Sequence, residues 1–442
     1  MSPLPKGWSV STIPELCDVL DSLRVPINSD ERNQRIAEAE RVSLVPYFGA
    51  TGQVGWIDTH LFDEDLVLLG EDGVPFLDPA KPKAYRVSGK SWVNNHAHVL
   101  RVRDEFVDWR FLAAQLNAID YTSFVSGSTR LKLTQGAMNR LPIRVAPRSE
   151  QERIADKLET VLTHVDAVLT RLARIAPLLK RFRQSVLAAA TSGRLTHDWR
   201  SNEAPEWSEL RFSDAVLESS TGLVRSATDQ APMREGLTPY LKMNSIEEVW
   251  GYHCKDLPGV HCSTEEFDRF ELAHGDWLFN TRNSVELVGK SCVWNGPAGV
   301  VFNNNLLRVR FKAAINPNWV EIYFRSPIGR NLLNAVKSAT TSVAAIYQRS
   351  LMELPLKLPP EREQTEIVRR VETLLAFADR LDGRLQTAQT VAGRLAPALL
   401  AKAFRGELVP QDPNDEPASE LLRRLQPDQP ARKSTRGRRA AA

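Results

Sequence analysis

A block of 56 residues occurs twice in this chain, 213 positions apart, and no other feature restricts its architecture as strongly. Leu141 to Thr196 and Leu354 to Val409 align without a gap and share 18 identities. A long internal repeat implies two similar halves before any local motif is weighed. Whatever the chain does, it is built to do twice.

Within the block the apolar residues keep a heptad. In the first copy they are Ile154, Leu158, Val161, Val165, Val168, Leu172, Ile175, Leu179, Phe182 and Val186. The corresponding positions of the second copy are Ile367, Val371, Leu374, Ala378, Leu381, Leu385, Ala388, Ala392, Leu395 and Leu399, all apolar. Alternating steps of four and three predict a helix that packs along one seam. The run corresponds to roughly 50 Å of helix. Pro147 and Pro360 precede the helices, Ser149 and Glu152 form a capping-box pattern, and Gly193 and Gly406 follow as stops. Pro177 and Pro397 lie inside the run and predict a kink or break late in each helix. Alanines on the second seam (Ala378, Ala388 and Ala392) leave room for bulkier residues of the first, so the simplest arrangement pairs the two copies antiparallel. The competing arrangement packs each helix on its own globular domain.

At 442 residues, 42% hydrophobic and 25% charged, the chain has room for two to four globular domains. A net charge of +3 neither demands nor excludes nucleic acid. No apolar run is long enough to span a bilayer, and MSPLPKGWSV lacks a signal core, so a cytoplasmic location and no membrane partner are expected. Four cysteines are too few for a disulfide framework.

The segments preceding the two helices resemble each other weakly. Each opens on a Pro-x-Trp-like phrase, at Pro5–Trp8 and Pro205–Trp207. Each has a Pro-Tyr step, Pro46-Tyr47 and Pro239-Tyr240. Each has an Asn-rich stretch ending in Leu-Arg-Val, NNHAHVLRV and NNNLLRV. Between these landmarks the content differs, as it would in two modules reading different targets or in two drifted duplicates. Short β-branched and aromatic runs broken by Gly, Asn and Asp predict strands with some helix. The tail from Pro410 has room for one short helix at Ala418–Leu425. Its acid-free basic end is expected to be disordered.

Catalytic signatures are nearly absent. Ser284 to Ser291 approaches a phosphate-binding loop but has Ser where the first glycine belongs. Asn316-Pro317-Asn318-Trp319 lacks the second proline of an amino-methyltransferase step, and is expected to start a helix instead. No lysine follows an acid by two positions, as a common nuclease motif requires. His253-Cys254 and His261-Cys262 fit no zinc spacing. His96 and His98 would share a strand face but lack a companion acid pattern in sequence. These readings disfavour a self-contained methyltransferase or nuclease. They leave a duplicated binding protein or a structural coiled-coil adaptor.

The repeated block, LLAKAFRGELVPQDPNDEPASELL, YFGATGQVGWID, NNHAHVLR and HGDWLFNTRNSVELVGKS together resemble the specificity subunits of type I restriction–modification systems. The resemblance covers residues 1–425. It implies an α+β fold in which two mixed α/β target-recognition domains, 1–146 and 203–358, are joined by two long antiparallel coiled-coil helices, 147–202 and 359–410. The internal repeat would be pseudo-twofold, with 411–442 as a tail. It implies a sequence-specific DNA-binding, scaffolding role without catalysis in this chain. Double-stranded DNA, two methyltransferase subunits and restriction/translocase subunits are the implied partners. S-adenosylmethionine, ATP and Mg²⁺ are expected on those partners rather than here. Candidate DNA contacts are the residue types that pair with base edges or phosphates. In the first half these are Gln53, Asn95, Ser128, Thr129, Arg130 and Lys132. In the second they are Asn280, Thr281, Arg282, Asn283, Lys290, Thr340 and Thr341.

Overall fold

The computed structural model describes residues 4–38, 43–200, 206–247, 250–339 and 343–424. The chain divides into two compact units. One comprises Met1–Ala173 with Gln386–Ala442, and the other Arg174–Leu385. Each unit therefore contains one pre-helix segment together with parts of both copies of the repeat.

In the first unit, Leu66–Gly70 is buried at every position, as its unbroken apolar run requires of a strand covered on both faces. It lies between Ala97–Val102 and Ala84–Val87, and Cys17–Val19 completes an antiparallel four-stranded sheet. A second four-stranded sheet holds Gly52–Ile57, Val45–Gly49, Lys90–Val93 and Phe62–Asp63. Ser9–Ser11 pairs with Ile143–Val145 and ties the start of the segment to its end. The helix Arg148–Ala173 follows directly. Its Ile154, Ala155 and Leu158 share one core with Leu400, Ala403 and Phe404, from the far end of the second repeat.

The second unit repeats the plan. Ser208–Arg211 pairs with Pro355–Leu358. A four-stranded sheet runs Val216–Thr221, Leu306–Phe311, Trp277–Asn280 and Ser291–Val293. Here Val186, Leu187 and Ala190 of the first repeat share a core with Ile367, Val368, Val371 and Leu375 of the second. In each unit, early residues of one copy meet late residues of the other, which is antiparallel pairing. Arg183 adds an ion pair to Asp379 at 2.8 Å.

The sequence landmarks explain the likeness of the two units. Tyr47 and Tyr240 are buried on strands that pair parallel to a neighbour, Tyr47 opposite Trp92 and Tyr240 opposite Val301. Asn94 and Asn303 accept from the amides two residues on, His96 and Asn305, and turn the chain into the strands that carry Leu-Arg-Val. The Glu-Gln pair common to both repeats is a buried clamp. Gln151 Oε1 accepts from Asp108 N and its amide donates to Ala146 O. Gln364 does the same with Asn316 N and Pro359 O. Glu150 and Glu363 accept from the indoles of Trp8 and Trp207.

Several local expectations are corrected. The first helix breaks at Arg174, before Pro177, and a second helix runs Ile175–Thr191. Pro177 thereby falls in a first turn, where an amide hydrogen has no intrahelical partner to lose. The second helix is continuous over Glu361–Ala403 with Pro397 inside it. Gly393, four residues earlier, has open space where a Cβ would stand. The expected capping box does not form. Ser149 lies inside the helix, its hydroxyl donates to Asp415 Oδ1 at 2.5 Å, and Glu152 pairs with Arg148. Ile154, Leu158, Val165, Ile367, Val371, Ala378, Leu385 and Ala392 are buried. Val161, Leu172, Leu374 and Leu381 are half-buried, but Val168, Ile175 and Leu395 are exposed. The heptad therefore overstates the length of the closed seam. The first part of the tail folds on the first unit. Helix Ala418–Arg423 buries Ala418 and Leu421, and Asp415 pairs with Arg153 at 2.6 Å. The basic end, 425–442, lies outside the described residues. Asn316 caps the helix Pro317–Arg325, as expected.

Candidate nucleic-acid interface

In the first unit four segments converge at one end of the sheet. They are the hairpin tip after Gly49, the turn at Glu71–Gly73, the Asn94–His96 turn and the loop 126–133. Backbone hydrogen bonds join three of them: Glu71 N donates to His96 O at 2.8 Å, and Leu133 N to Glu71 O at 2.8 Å. A Cβ added to Gly70 would lie 2.9 Å from Ala50 O, which brings in the hairpin tip. Ser126 and Lys132 exchange both backbone bonds, at 3.0 and 2.8 Å, and close the loop that holds Ser128, Thr129 and Arg130. All six first-half candidates are exposed on these segments. Gln53 donates to Gly55 O at 3.0 Å, and Asn95 sits at the crest of its turn.

Beneath them lies an ion network that the sequence did not suggest. Lys132 Nζ is 3.0 Å from Glu71 Oε1, and Arg24 Nη1 is 2.9 Å from Glu71 Oε2. Arg130 Nη2 is 2.7 Å from Asp72 Oδ1. His98, buried, places Nδ1 2.6 Å from Asp21 and Nε2 2.9 Å from Leu133 O. Both ring nitrogens face oxygen atoms, which fixes the orientation of the ring. Burial pushes the Glu71 carboxyl up, but Arg24, Lys132 and His98 outweigh it and hold the group below the usual carboxylate range. Asp21 behaves alike: burial raises it, while His98, the Val99 amide and Arg24 prevail. The acids absent as a pattern around His96 and His98 thus arrive from Asp21, Glu71 and Asp72, distant in sequence.

In the second unit the corresponding end is built from 280–283, 289–290, 303–305 and 344–346. Thr281 N and Oγ1 both donate to Asn305 O, and Ile346 N donates to Thr281 O at 2.9 Å. Arg282 stands on a short strand, Arg282–Asn283, paired with Ala344–Ala345. Its side chain is exposed and has no partner among the described residues. Asn283 is half-buried and accepts from Ser284 N.

Two second-half candidates are corrected. Asn280 is fully buried, and its side chain accepts from Arg282 N at 3.2 Å. Lys290 is buried, and its ammonium donates to Ile246 O at 2.6 Å. Both shape the site from within and present nothing to a solvent-side ligand. The phosphate-loop-like stretch ending at Lys290 therefore has no lysine to offer a phosphate. Thr340 and Thr341 lie outside the described residues. Asn304 was missed in sequence. It is exposed on the turn equivalent to that of Asn95, and aligning NNH with NNN would have found it.

No helix among the described residues is long and apolar enough to cross a membrane. The family described as the type I restriction modification DNA specificity domain matches residues 5–175. The chain is 33% identical over 308 residues to the type I restriction enzyme EcoKI specificity subunit of Escherichia coli K12, a match covering 68% of this chain and 65% of that one. It is 30% identical to the StySPI specificity subunit of Salmonella potsdam, over 66% of this chain and 62% of the relative. Over 92% of this chain and 90% of the relative it is 28% identical to the EcoDI specificity subunit of Escherichia coli. The chain thus spans less than two thirds of the length of the first two relatives. Two solved structures share its fold. A chain from a type I R-M system, solved to show complex assembly and conformational transition, gives a TM-score of 0.61 at 17% identity, covering 92% of this chain and all of that one. The HsdS subunit from Thermoanaerobacter tengcongensis gives 0.53 at 18%, covering 92% and 98%. On these matches, and on the duplicated plan behind them, the chain belongs to the family of type I restriction–modification DNA specificity subunits.

Proposed function

We propose that this chain is the DNA-reading and scaffolding subunit of a type I restriction–modification complex, without catalysis of its own. Residues 1–146 and 203–358 each read one half of a bipartite, asymmetric site. Residues 147–202 and 359–410 supply the helical frame on which two methyltransferase subunits and restriction subunits assemble in the cytoplasm. S-adenosylmethionine, ATP and Mg²⁺ belong to those partners under this reading.

The observation that carries the proposal is the duplicated architecture with unlike ends. The Glu-Gln clamp, the Asn turn and the antiparallel helix pairing are the same in both units. The side chains gathered at the sheet ends differ, with an ion-paired Arg130 and Lys132 in one and, in the other, an exposed Arg282 without a side-chain partner among the described residues. A shared frame with different reading heads suits recognition of two different half-sites. Exposed Arg, Lys, Asn, Gln and Thr side chains supply base-edge and phosphate contacts.

The test uses the chain assembled with its modification partner on duplexes of random sequence. One bipartite site should be protected, with one methylated adenine in each half. Arg282→Ala should weaken the preference in one half-site only. Binding without sequence preference would overturn the function. An Arg282→Ala complex with unchanged affinity and methylation would favour a purely structural adaptor.

A further inference from the structure

Arg130 is exposed but is not a free arm. Its side chain is 61% exposed, yet its Nη2 is held 2.7 Å from Asp72 Oδ1, a carboxylate only 18% exposed. The guanidinium also lies on the backbone of Gly73. A Cβ built there would stand 3.1 Å from Nη2, 3.4 Å from Nε and 3.5 Å from Cζ. Gly73 adopts φ +68°, a conformation in which a side chain would be strained in any case. Absence of a side chain at this position therefore both permits the turn and provides a flat floor. His96 Nδ1 lies 2.9 Å from the same Asp72 oxygen and approaches it from the neighbouring turn. The base of the loop is fixed by the Ser126–Lys132 backbone pair and by Lys132 on Glu71, itself anchored to Arg24.

We infer that Asp72 and Gly73 form a seat that presents Arg130 to a guanine of the half-site read by the first unit, with Asp72 as the positioning residue. This inference rests on the DNA-reading function proposed above. A free arginine loses considerable rotamer freedom when it binds, and a guanidinium already fixed on one side loses less. Asp72 occupies one N–H of the planar fork, and the remaining donors can engage O6 and N7 of guanine together. A base edge fits this location better than a phosphate. Asp72 already pairs with Arg130 and weakens its pull on a phosphate. The edge of guanine is uncharged and carries acceptors only where the arginine donates. In the second unit Arg282 has no side-chain partner among the described residues.

The experiment uses the full chain in complex with its modification partner. Duplexes vary at each position of the first half-site, and binding is measured at several salt concentrations. Arg130→Lys keeps the charge, lies on the surface and removes the fork. It should lose about 10-fold or more of the discrimination at one G·C pair, with other positions and the second half-site unchanged. Asp72→Asn should lose discrimination at the same pair, and Asp72→Asn combined with Arg130→Lys should lose no more than Arg130→Lys alone. Retained discrimination in Arg130→Lys would overturn the inference while leaving the function standing. So would an Asp72→Asn complex that binds all sequences more tightly by the same factor, because Asp72 would then merely mask charge. Uniform weakening by Arg130→Ala, with the salt slope reduced by about one, would reassign Arg130 to a phosphate. A wild-type complex with no sequence preference would instead overturn the function itself.

Discussion

The two copies of the repeat carry a glutamate at the same position, Glu150 and Glu363, each 1% exposed, in opposite electrostatic settings. Glu363 receives the Trp207 indole at 2.9 Å, the Thr196 hydroxyl at 2.7 Å, and Nε and Nη2 of Arg200 at 2.9 and 2.7 Å. Glu150 receives the Trp8 indole at 3.2 Å and no hydrogen bond from an arginine, and its second oxygen is buried without a hydrogen-bond partner; the attraction of Arg153 is opposed by Asp415. Burial is the largest influence on Glu150. It outweighs the hydrogen bonds from Trp8 and Gln411 and raises the carboxyl above its ordinary range.

Glutamine at the two positions should therefore act differently. Removing one member of a buried ion pair costs roughly 3–5 kcal/mol when both partners are enclosed. Arg200 keeps 29% of its side-chain surface and stays partly hydrated after the change, so we expect about 2 kcal/mol for Glu363→Gln. Glu150→Gln removes a buried charge whose burial outweighs the hydrogen bonds and Arg153, and should be neutral or stabilising at pH 7. The sign with pH follows. A raised carboxyl contributes stability that is fully present below its unfolded pKa and is lost as pH rises through its folded pKa. Glu150→Gln should match wild type in acid and gain on it toward neutrality. A single melting temperature is ill defined for a chain of two units, so the assay is amide hydrogen exchange on the strand pairs 208–211/355–358 and 9–11/143–145. Exchange in the first pair should accelerate about 30-fold in Glu363→Gln, the equivalent of 2 kcal/mol. Exchange in the second should be unchanged or slower in Glu150→Gln. Equal acceleration by both substitutions would refute the reasoning.

Phe404→Ala should cost about 3–4 kcal/mol of local stability in the first unit. Phe404 stacks edge-on to Phe111 at 5.2 Å, and its carbonyl accepts from Arg144 at 2.7 Å. Exchange protection in the helix Trp109–Ala118 should fall, and unchanged protection would show that this end of the second repeat is dispensable there. Gly329→Ala should disrupt the second unit, because the new Cβ would sit 2.1 Å from Tyr323 O and 2.5 Å from Phe324 Cα, both backbone. Loss of cooperative folding by near-ultraviolet circular dichroism is expected, and a native spectrum would contradict the packing between Pro317–Arg325 and Pro327–Ala335.

The duplication, the helices and their antiparallel pairing were legible because the heptad is a one-dimensional signal that needs only a partner seam. The Asn turns were legible too, since an Asx turn is encoded within three residues. Where the seam closes was not. Val168, Ile175 and Leu395 satisfy the period yet are exposed, because periodicity states which residues share a face and not whether that face is covered along its whole length. Pro397 illustrates the same gap, since its local cost is tolerated inside Glu361–Ala403.

At the candidate interface, the sequence by itself determined which exposed segments carry Arg130, Lys132 and Arg282. Residue type and flanking turn chemistry are local properties. Only the tertiary structure decided that Asn280 and Lys290 are interior, and that Arg130 rests on Asp72 and Gly73. It likewise supplied His98 with Asp21 across 77 positions of chain. Charges so far apart in sequence meet only when strands from distant segments are laid side by side. The long-range order of a sheet is what the local pattern of a sequence leaves open.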